Sequence, residues 1–185
     1  MARTLTTQIP LGFTAPDFKL KDASSDAFVS FSDIKGEKGT VVMFICNHCP
    51  FVVHVLDGII AVAETYQNVG FGFVAISSND ADNYPQDGPE FMKSLADEKA
   101  FPFPYLYDES QEIAKAYDAA CTPDFAVFDA HDICVYRGQL DDARPGNGVE
   151  VTGEHLRKAL DQIKNGGEPA PEGQKPSIGC NIKWK

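Results

Sequence analysis

The sequence predicts an α/β fold in which helices flank both faces of a mixed central sheet. Two apolar runs rich in β-branched and aromatic residues, 40–45 and 71–76, are typical of strands buried on both faces. Between them, apolar residues recur at three- and four-residue spacing from Val52 to Ala63, which indicates an amphipathic helix. A strand, a helix and a second strand make a βαβ unit, whose crossover should be right-handed.

Three further helices are indicated by their start signals. Asp87 and Glu90 form a capping-box pattern with a proline between them. Asp108 precedes a second helical segment, and Thr152 precedes a third one, which stops at the Asn-Gly-Gly run 165–167. Together with the first helix, these segments can cover both faces of the sheet.

The second half of the chain adds a hairpin and a tail. Apolar runs at 125–128 and 133–136 flank the polar turn 129–132, which predicts two antiparallel strands. We expect one domain over residues 1–167. The remainder, 168–185, is rich in Pro, Gly and Lys, and we expect it to be an extended, mobile C-terminal tail.

The composition limits the class of protein. With 185 residues, 43 % of them hydrophobic, the chain can bury a sizeable core without disulfide staples. Its formal net charge of −11 makes nucleic acid and membranes poor partners. The first eight residues lack the apolar region of a signal peptide, and no stretch reaches the roughly 20 apolar residues of a membrane helix. We therefore expect a cytoplasmic protein, whose five cysteines are not a structural disulfide framework.

Cys46 and Cys49 are the centre of the candidate site, in a Cys-Asn-His-Cys-Pro motif where the first strand meets the first helix. Unpaired N–H groups and the helix dipole at a helix start favour thiolate over thiol. The thiolate is the nucleophile of disulfide exchange. We expect Cys46 to attack a substrate disulfide and Cys49 to resolve the mixed disulfide.

His48 lies between the two cysteines and is a candidate tuning residue. An imidazolium at the mouth of the site would stabilise the Cys46 thiolate. Because this favours the reduced form, we expect a reduction potential above that of ordinary thioredoxin.

Six segments carry a family resemblance. They are 14–18 (TAPDF), 46–52 (CNHCPFV), 78–80 (SND), 121–125 (CTPDF), 136–139 (YRGQ) and 176–185. With them the chain resembles the thioredoxin-like superfamily, and more closely the bacterial peroxiredoxin-like thioredoxin family proteins related to the AhpC/TSA and TlpA groups. The resemblance implies a thioredoxin fold with an N-terminal redoxin extension.

The resemblance also implies further site residues and partners. Pro123 would be the cis-proline facing the cysteine pair, and Thr122 would offer backbone hydrogen bonds to a bound peptide. An ordinary trans proline at a strand start is the competing interpretation. The implied partners are a disulfide-containing protein or a small thiol or peroxide substrate, together with an upstream dithiol reductant.

Two departures from the family patterns narrow the function. Met43 stands where peroxiredoxins have a threonine, which weakens the case for peroxide activation. Thr40 stands where thioredoxin has a buried aspartate, so another group must move protons at Cys49. We therefore predict a thiol–disulfide oxidoreductase that uses the Cys46–Cys49 pair, with a peroxiredoxin-like thiol peroxidase as the alternative.

The other three cysteines have different predicted environments. Cys121 directly precedes Thr122 and is expected near the site, as a third redox thiol or as a packed side chain. Cys180 lies in the predicted tail, where a flexible arm could carry it to a mixed disulfide or to Cys121. Cys134 falls within a predicted strand and should pack in the core.

A metal site is the weakest alternative. A CxxC pair can be half of a zinc site, but the sequence has no second CxxC or HxxxH to complete four ligands. His54 could join a metal site, although packing on the first helix is the stronger interpretation. We predict no metal ligands and no cofactor, and keep a metal-binding thioredoxin-fold module as the last alternative.

Overall fold

The computed structural model describes residues 3–7 and 10–185, so residues 1, 2, 8 and 9 of the predicted domain lie outside it. In the described part, the strands are β1 (Arg3–Leu5), β2 (Lys19–Asp22), β3 (Phe28–Ser30), β4 (Gly39–Phe44), β5 (Phe71–Ser77), β6 (Tyr105–Tyr107), β7 (Cys121–Thr122), β8 (Asp124–Asp129), β9 (Cys134–Gly138) and β10 (Ile178–Asn181). The α-helices are α1 (Phe31–Ile34), α2 (Pro50–Gln67), α3 (Pro89–Glu98), α4 (Glu112–Ala116) and α5 (Glu154–Lys164), and a 3₁₀ helix covers Pro85–Asp87.

The main sheet is mixed and has the strand order β3–β2–β6–β5–β4–β8–β9. β4 lies parallel to β5, with Val42 opposite Val74, and antiparallel to β8, with Val42 opposite Ala126. The βαβ unit and the β8–β9 hairpin are confirmed. The predicted α/β class with a mixed central sheet is therefore correct.

Both faces of β4 are covered, which explains why its sequence is apolar without alternation. Val41 and Met43 belong to the core cluster that includes the buried faces of α2 and α5. Val42 and Phe44 belong to a second cluster on the opposite face, together with Tyr117. All four of these β4 residues are at most 3 % exposed.

The N-terminal extension contributes short elements that the sequence patterns did not predict. β2 pairs with β3 and with β6, so these three strands form one edge of the main sheet. Each has only three or four residues, and β2 (Lys-Leu-Lys-Asp) has one apolar side chain. A pattern this short cannot be separated from a loop by periodicity.

The segment after Gly167 differs from the expected mobile tail. β10 is the central strand of a second sheet, with the order β1–β10–β7. In this sheet Cys180 lies opposite both Arg3 and Thr122. A Cβ on Gly179 would lie 1.9 Å from the carbonyl oxygen of Thr122, so only glycine allows this close approach. The segment is extended, but its end is a paired, largely buried strand, while the domain boundary after 167 stays a prediction.

Two predicted helix caps are wrong in detail. α3 begins after Gly88, and the side chain of Asp87 points elsewhere. α5 begins after Gly153, one residue beyond Thr152, and it ends at Asn165 as predicted. No α-helix of the described residues is long and apolar enough to span a bilayer.

Candidate active site

The cysteine pair occupies the connection between β4 and α2. Pro50 is the first residue of α2, which fits the fixed φ of proline and its missing N–H. Cys49 is the N-cap, and the backbone N–H of Val52 in the first turn helps to lower the pKa of its thiol. Cys46 lies before the helix, and not within its first turn as expected. The helix start therefore acts on Cys49 more directly than on Cys46.

Thr122 and Pro123 face the pair, as the sequence predicts. The Thr122–Pro123 peptide bond is cis. Cys46 Sγ lies 3.3 Å from Thr122 Oγ1, and the Cys49 thiol donates to the Thr122 carbonyl oxygen at 3.2 Å. One residue of β7 thus holds both sulfurs. Cys46 and Cys49 are 1 % and 0 % exposed, so the reduced pair is enclosed.

An interaction of hydrogen-bond type between the two thiols shifts their pKa values in opposite directions. This interaction with Cys46 lowers the pKa of Cys49 to about 5, against the opposing effect of burial. The same interaction raises the pKa of Cys46 well above its usual range, and burial and the charge of Asp87 act in the same direction. The pKa is therefore lowered at Cys49, whereas the sequence led us to expect the thiolate on Cys46. Transfer of the Cys46 proton to Cys49 would generate the Cys46 thiolate.

His48 lies beside Cys46 and is held by a buried carboxylate. Asp87 is fully buried, and its Oδ2 contacts His48 Nδ1. The His48 ring stacks on Tyr84, with centroids 5.8 Å apart and planes inclined by 3°. One atom each of Cys46, His48 and Asp87 forms a group in which every separation is within 4.8 Å. The thiol, the imidazole and the carboxylate therefore form one cluster.

Asp87 is the site residue that sequence reasoning missed as a functional group. Its Oδ1 accepts hydrogen bonds from the backbone N–H groups of Asn47 at 2.9 Å and His48 at 3.2 Å. Its Oδ2 also accepts from Asn79 Nδ2 at 2.7 Å. The Gln-Asp-Gly-Pro-Glu run around it resembles an ordinary helix start, so no sequence signal separated the two roles.

The same hydrogen bonds bear on the metal question. Cys46, His48 and Asp87 are close enough together to hold an ion. However, both Asp87 oxygens already accept hydrogen bonds from the protein. This arrangement suits a carboxylate that orients an imidazole better than one that ligates a metal.

Cys180 is the third thiol of the site. It lies opposite Thr122 in the β10–β7 ladder, and its thiol interacts with that of Cys49. Burial is the main cause that raises the pKa of Cys180 to about 12. Cys49 therefore has a thiol neighbour on each side, Cys46 and Cys180.

Cys121 and Cys134 lie apart from this group. Cys121 is opposite Asn181, so its side chain and that of Cys180 project from opposite faces of the small sheet. Its sulfur donates to Thr6 Oγ1 at 3.7 Å, and burial raises its pKa to about 12. The expected Cys121–Cys180 pair is therefore not favoured by the geometry. Cys134 is buried in the core cluster on the other face of the main sheet, as predicted.

A buried ion pair supports the strand that follows Pro123. Arg137 donates to Asp124 Oδ2 at 3.0 Å, and both side chains are at most 5 % exposed. Arg137 also donates to the carbonyl oxygens of Tyr117 and Asp118. The pair fixes the start of β8 against β9 and the end of α4.

Comparison with known proteins agrees with this fold. An uncharacterized conserved protein from Geobacillus kaustophilus is 57 % identical, with a TM-score of 0.97 and coverage of 100 % of this chain and 97 % of that one. A hypothetical protein from Sinorhizobium meliloti 1021 is 44 % identical, with a TM-score of 0.95 and coverage of 98 % of both chains. Peroxidoxin BcpB from Mycobacterium tuberculosis shares the fold at 17 % identity, with a TM-score of 0.63 over 85 % of this chain and 98 % of that chain.

None of the curated proteins compared is similar to the sequence. The sequence profile of the Redoxin family matches residues 10–152, which include the cysteine pair, its facing proline and the ion pair behind it. By this match and by its thioredoxin fold, the chain belongs to the redoxin family of thioredoxin-like redox proteins.

Proposed function

We propose that the protein is a thiol–disulfide oxidoreductase in which Cys46 and Cys49 exchange a disulfide with a substrate. The observation that carries this proposal is the geometry of the pair, because both sulfurs lie at the start of α2 and contact Thr122, the residue before the cis-proline. The lowered pKa of Cys49 supports it.

The proposed reaction has two exchanges. The Cys46 thiolate attacks one sulfur of the substrate disulfide, forms a mixed disulfide and releases the first substrate thiol. Cys49 then attacks Cys46 Sγ, which forms the Cys46–Cys49 disulfide and releases the second substrate thiol. A dithiol reductant accepts the disulfide from the pair and returns both cysteines to thiols.

The proposed partners follow from this reaction. A small pocket lined by Phe51, Pro123 and Arg144, among others, adjoins the cis-proline, and we propose that a substrate approaches the pair from this side. The substrate is a disulfide-containing protein or a small disulfide, and the upstream partner is a dithiol protein. Regeneration by a dithiol fits a reducing compartment such as the cytoplasm, which we propose as the location.

Insulin reduction with dithiothreitol as the electron source tests the proposal. We expect activity in the wild type, and its loss in Cys46→Ser and in Cys49→Ser. Cys134→Ser is the matched control, because it replaces a buried thiol on the other face of the sheet and should retain activity. Activity that survives both active-site substitutions would overturn the proposal.

Peroxide turnover separates this proposal from a thiol peroxidase. Met43 is fully buried in β4, and its thioether has no hydrogen to donate to a peroxide. We therefore expect little peroxide consumption by the wild type. Peroxide turnover that persists in Cys49→Ser would favour the peroxidase, and stoichiometric metal in the purified protein would favour a metal-binding module.

A further inference from the structure

A strand from the end of the chain brings a third thiol to the redox pair. β10 lies directly against β7, where Cys180 is opposite Thr122. Thr122 is the residue that contacts both Cys46 and Cys49. The close approach of Gly179 to the Thr122 carbonyl oxygen fixes Cys180 at this position.

Cys49 is the central sulfur of the three. Its thiol interacts with those of both Cys46 and Cys180, and it donates to the carbonyl oxygen of Thr122, the residue opposite Cys180. All three cysteines belong to the same buried core cluster, and Cys180 is 2 % exposed. In a Cys46–Cys49 disulfide, the sulfur of Cys49 would therefore have a second thiol beside it.

We propose that Cys180 is a second resolving cysteine, which accepts the disulfide from Cys49 and releases Cys46. The proposal rests on the proposed function, because the Cys46–Cys49 disulfide is its starting point. In the exchange, Cys180 Sγ attacks Cys49 Sγ, the Cys46–Cys49 bond breaks and a Cys49–Cys180 bond forms. The proton of Cys180 passes to Cys46, so no external oxidant or reductant is needed.

The consequence is an oxidised form that keeps its disulfide in the interior. Cys46 again becomes a thiol next to His48, while the disulfide joins Cys49 at the start of α2 to Cys180 in β10. Cys46 can then attack a second substrate disulfide, forming a mixed disulfide and releasing one substrate thiol, before the first equivalent has been discharged.

Cys46→Ser isolates this step, because it leaves Cys49 and Cys180 as the neighbouring thiols. We would treat the full-length variant with oxidised glutathione, quench with acid, block thiols with N-ethylmaleimide and map the peptides without reduction. Glutathione first forms a mixed disulfide with Cys49, and Cys180 then displaces it as reduced glutathione. The expected product is a peptide linked through Cys49 and Cys180.

Two matched variants make the result specific. Cys46→Ser with Cys180→Ser should stop at the Cys49–glutathione mixed disulfide, and Cys180→Ala in place of serine guards against an effect of the new hydroxyl. Cys46→Ser with Cys134→Ser should still give the linked peptide. Cys46→Ser protein that accumulates only the glutathione adduct, with Cys180 alkylated after unfolding, would overturn the inference.

Insulin reduction by the wild type and by Cys134→Ser is measured in parallel. If the protein reduces insulin but shows no Cys49–Cys180 link, the role of Cys180 as a second resolving cysteine is ruled out, and the proposed oxidoreductase function stands. Inactive wild-type protein removes the proposed function, whatever the peptide map shows.

Discussion

Asp87 contacts His48 through both of its carboxylate oxygens. Oδ1 accepts the His48 backbone N–H at 3.2 Å, and Oδ2 contacts the ring at Nδ1. The ring can neither rotate nor leave Cys46 without breaking a buried hydrogen bond, since Asp87 is 0 % exposed. Asp87 and His48 act on Cys46 in opposite directions. The carboxylate charge of Asp87 disfavours the Cys46 thiolate, whereas a protonated His48 ring would favour it.

Replacing His48 should therefore lower the reduction potential of the Cys46–Cys49 pair. His48→Gln removes the imidazole and leaves the buried Asp87 charge near Cys46, which raises the pKa of Cys46 and destabilises the reduced form. We expect a fall of at least about 30 mV, which is tenfold in the equilibrium constant. Equilibration with glutathione buffers, followed by thiol alkylation, measures it.

Asp87→Asn provides the control for this prediction. In that background the carboxylate charge is gone, so His48→Gln should change the potential by less than it does in the wild type. An equal change in both backgrounds would show that His48 acts without Asp87. An unchanged potential in His48→Gln alone would remove its tuning role.

The pH dependence of the potential should reveal the low pKa of Cys49. Below a pH of about 5, the reduced pair binds two protons, and above it only one. The potential should therefore fall by about 59 mV per pH unit in acid and by about 30 mV per unit at neutral pH. A slope near 59 mV per pH unit throughout the range from pH 6 to 8 would contradict the lowered pKa of Cys49.

The Asp124–Arg137 pair should contribute strongly to stability. Asp124→Asn leaves the Arg137 charge buried without its counter-ion, and we expect the free energy of unfolding to fall by about 3–5 kcal/mol. Urea denaturation under reducing conditions measures it. Asp26→Asn removes an exposed ion pair with Lys21 and should change stability little. Equal decreases in the free energy of unfolding for Asp124→Asn and Asp26→Asn would contradict this prediction.

Gly179→Ala tests the close packing of β10 on Thr122. The new methyl group would overlap the Thr122 carbonyl oxygen, so β10 must move and the unfolding free energy should fall by about 1–3 kcal/mol or more. Gly167→Ala is the control, because its nearest neighbour would be Gln162 O at 3.4 Å. A native-like stability for Gly179→Ala would mean that β10 tolerates displacement.

The sequence predicted the long, buried elements of the fold. β4, β5 and α2 each bury a continuous or periodic set of apolar side chains, and that pattern is visible without tertiary information. The short strands of the N-terminal extension and the small sheet are different, since their stability comes from partners far away in the chain. β10 (Ile-Gly-Cys-Asn) has no strand pattern until Arg3 and Thr122 lie beside it.

The same distinction between local patterns and distant contacts applies to the residues of the site. The sequence placed Cys46, Cys49 and the facing Thr122–Pro123 together, because the motifs that carry them are local. It did not place Asp87, whose contact with His48 joins residues 39 positions apart. Nor did it place Cys180 beside Cys49, because this neighbour follows only from the pairing of β10 with β7.

The small sheet also bears on how the protein is made. A ribosome delivers Cys46 and Cys49 before β10, the strand that pairs with both β1 and β7. A nascent chain therefore displays its two reactive cysteines before the strand that encloses them exists. Conditions that slow the completion of synthesis should accordingly increase adducts at Cys46, even when the finished protein is well protected.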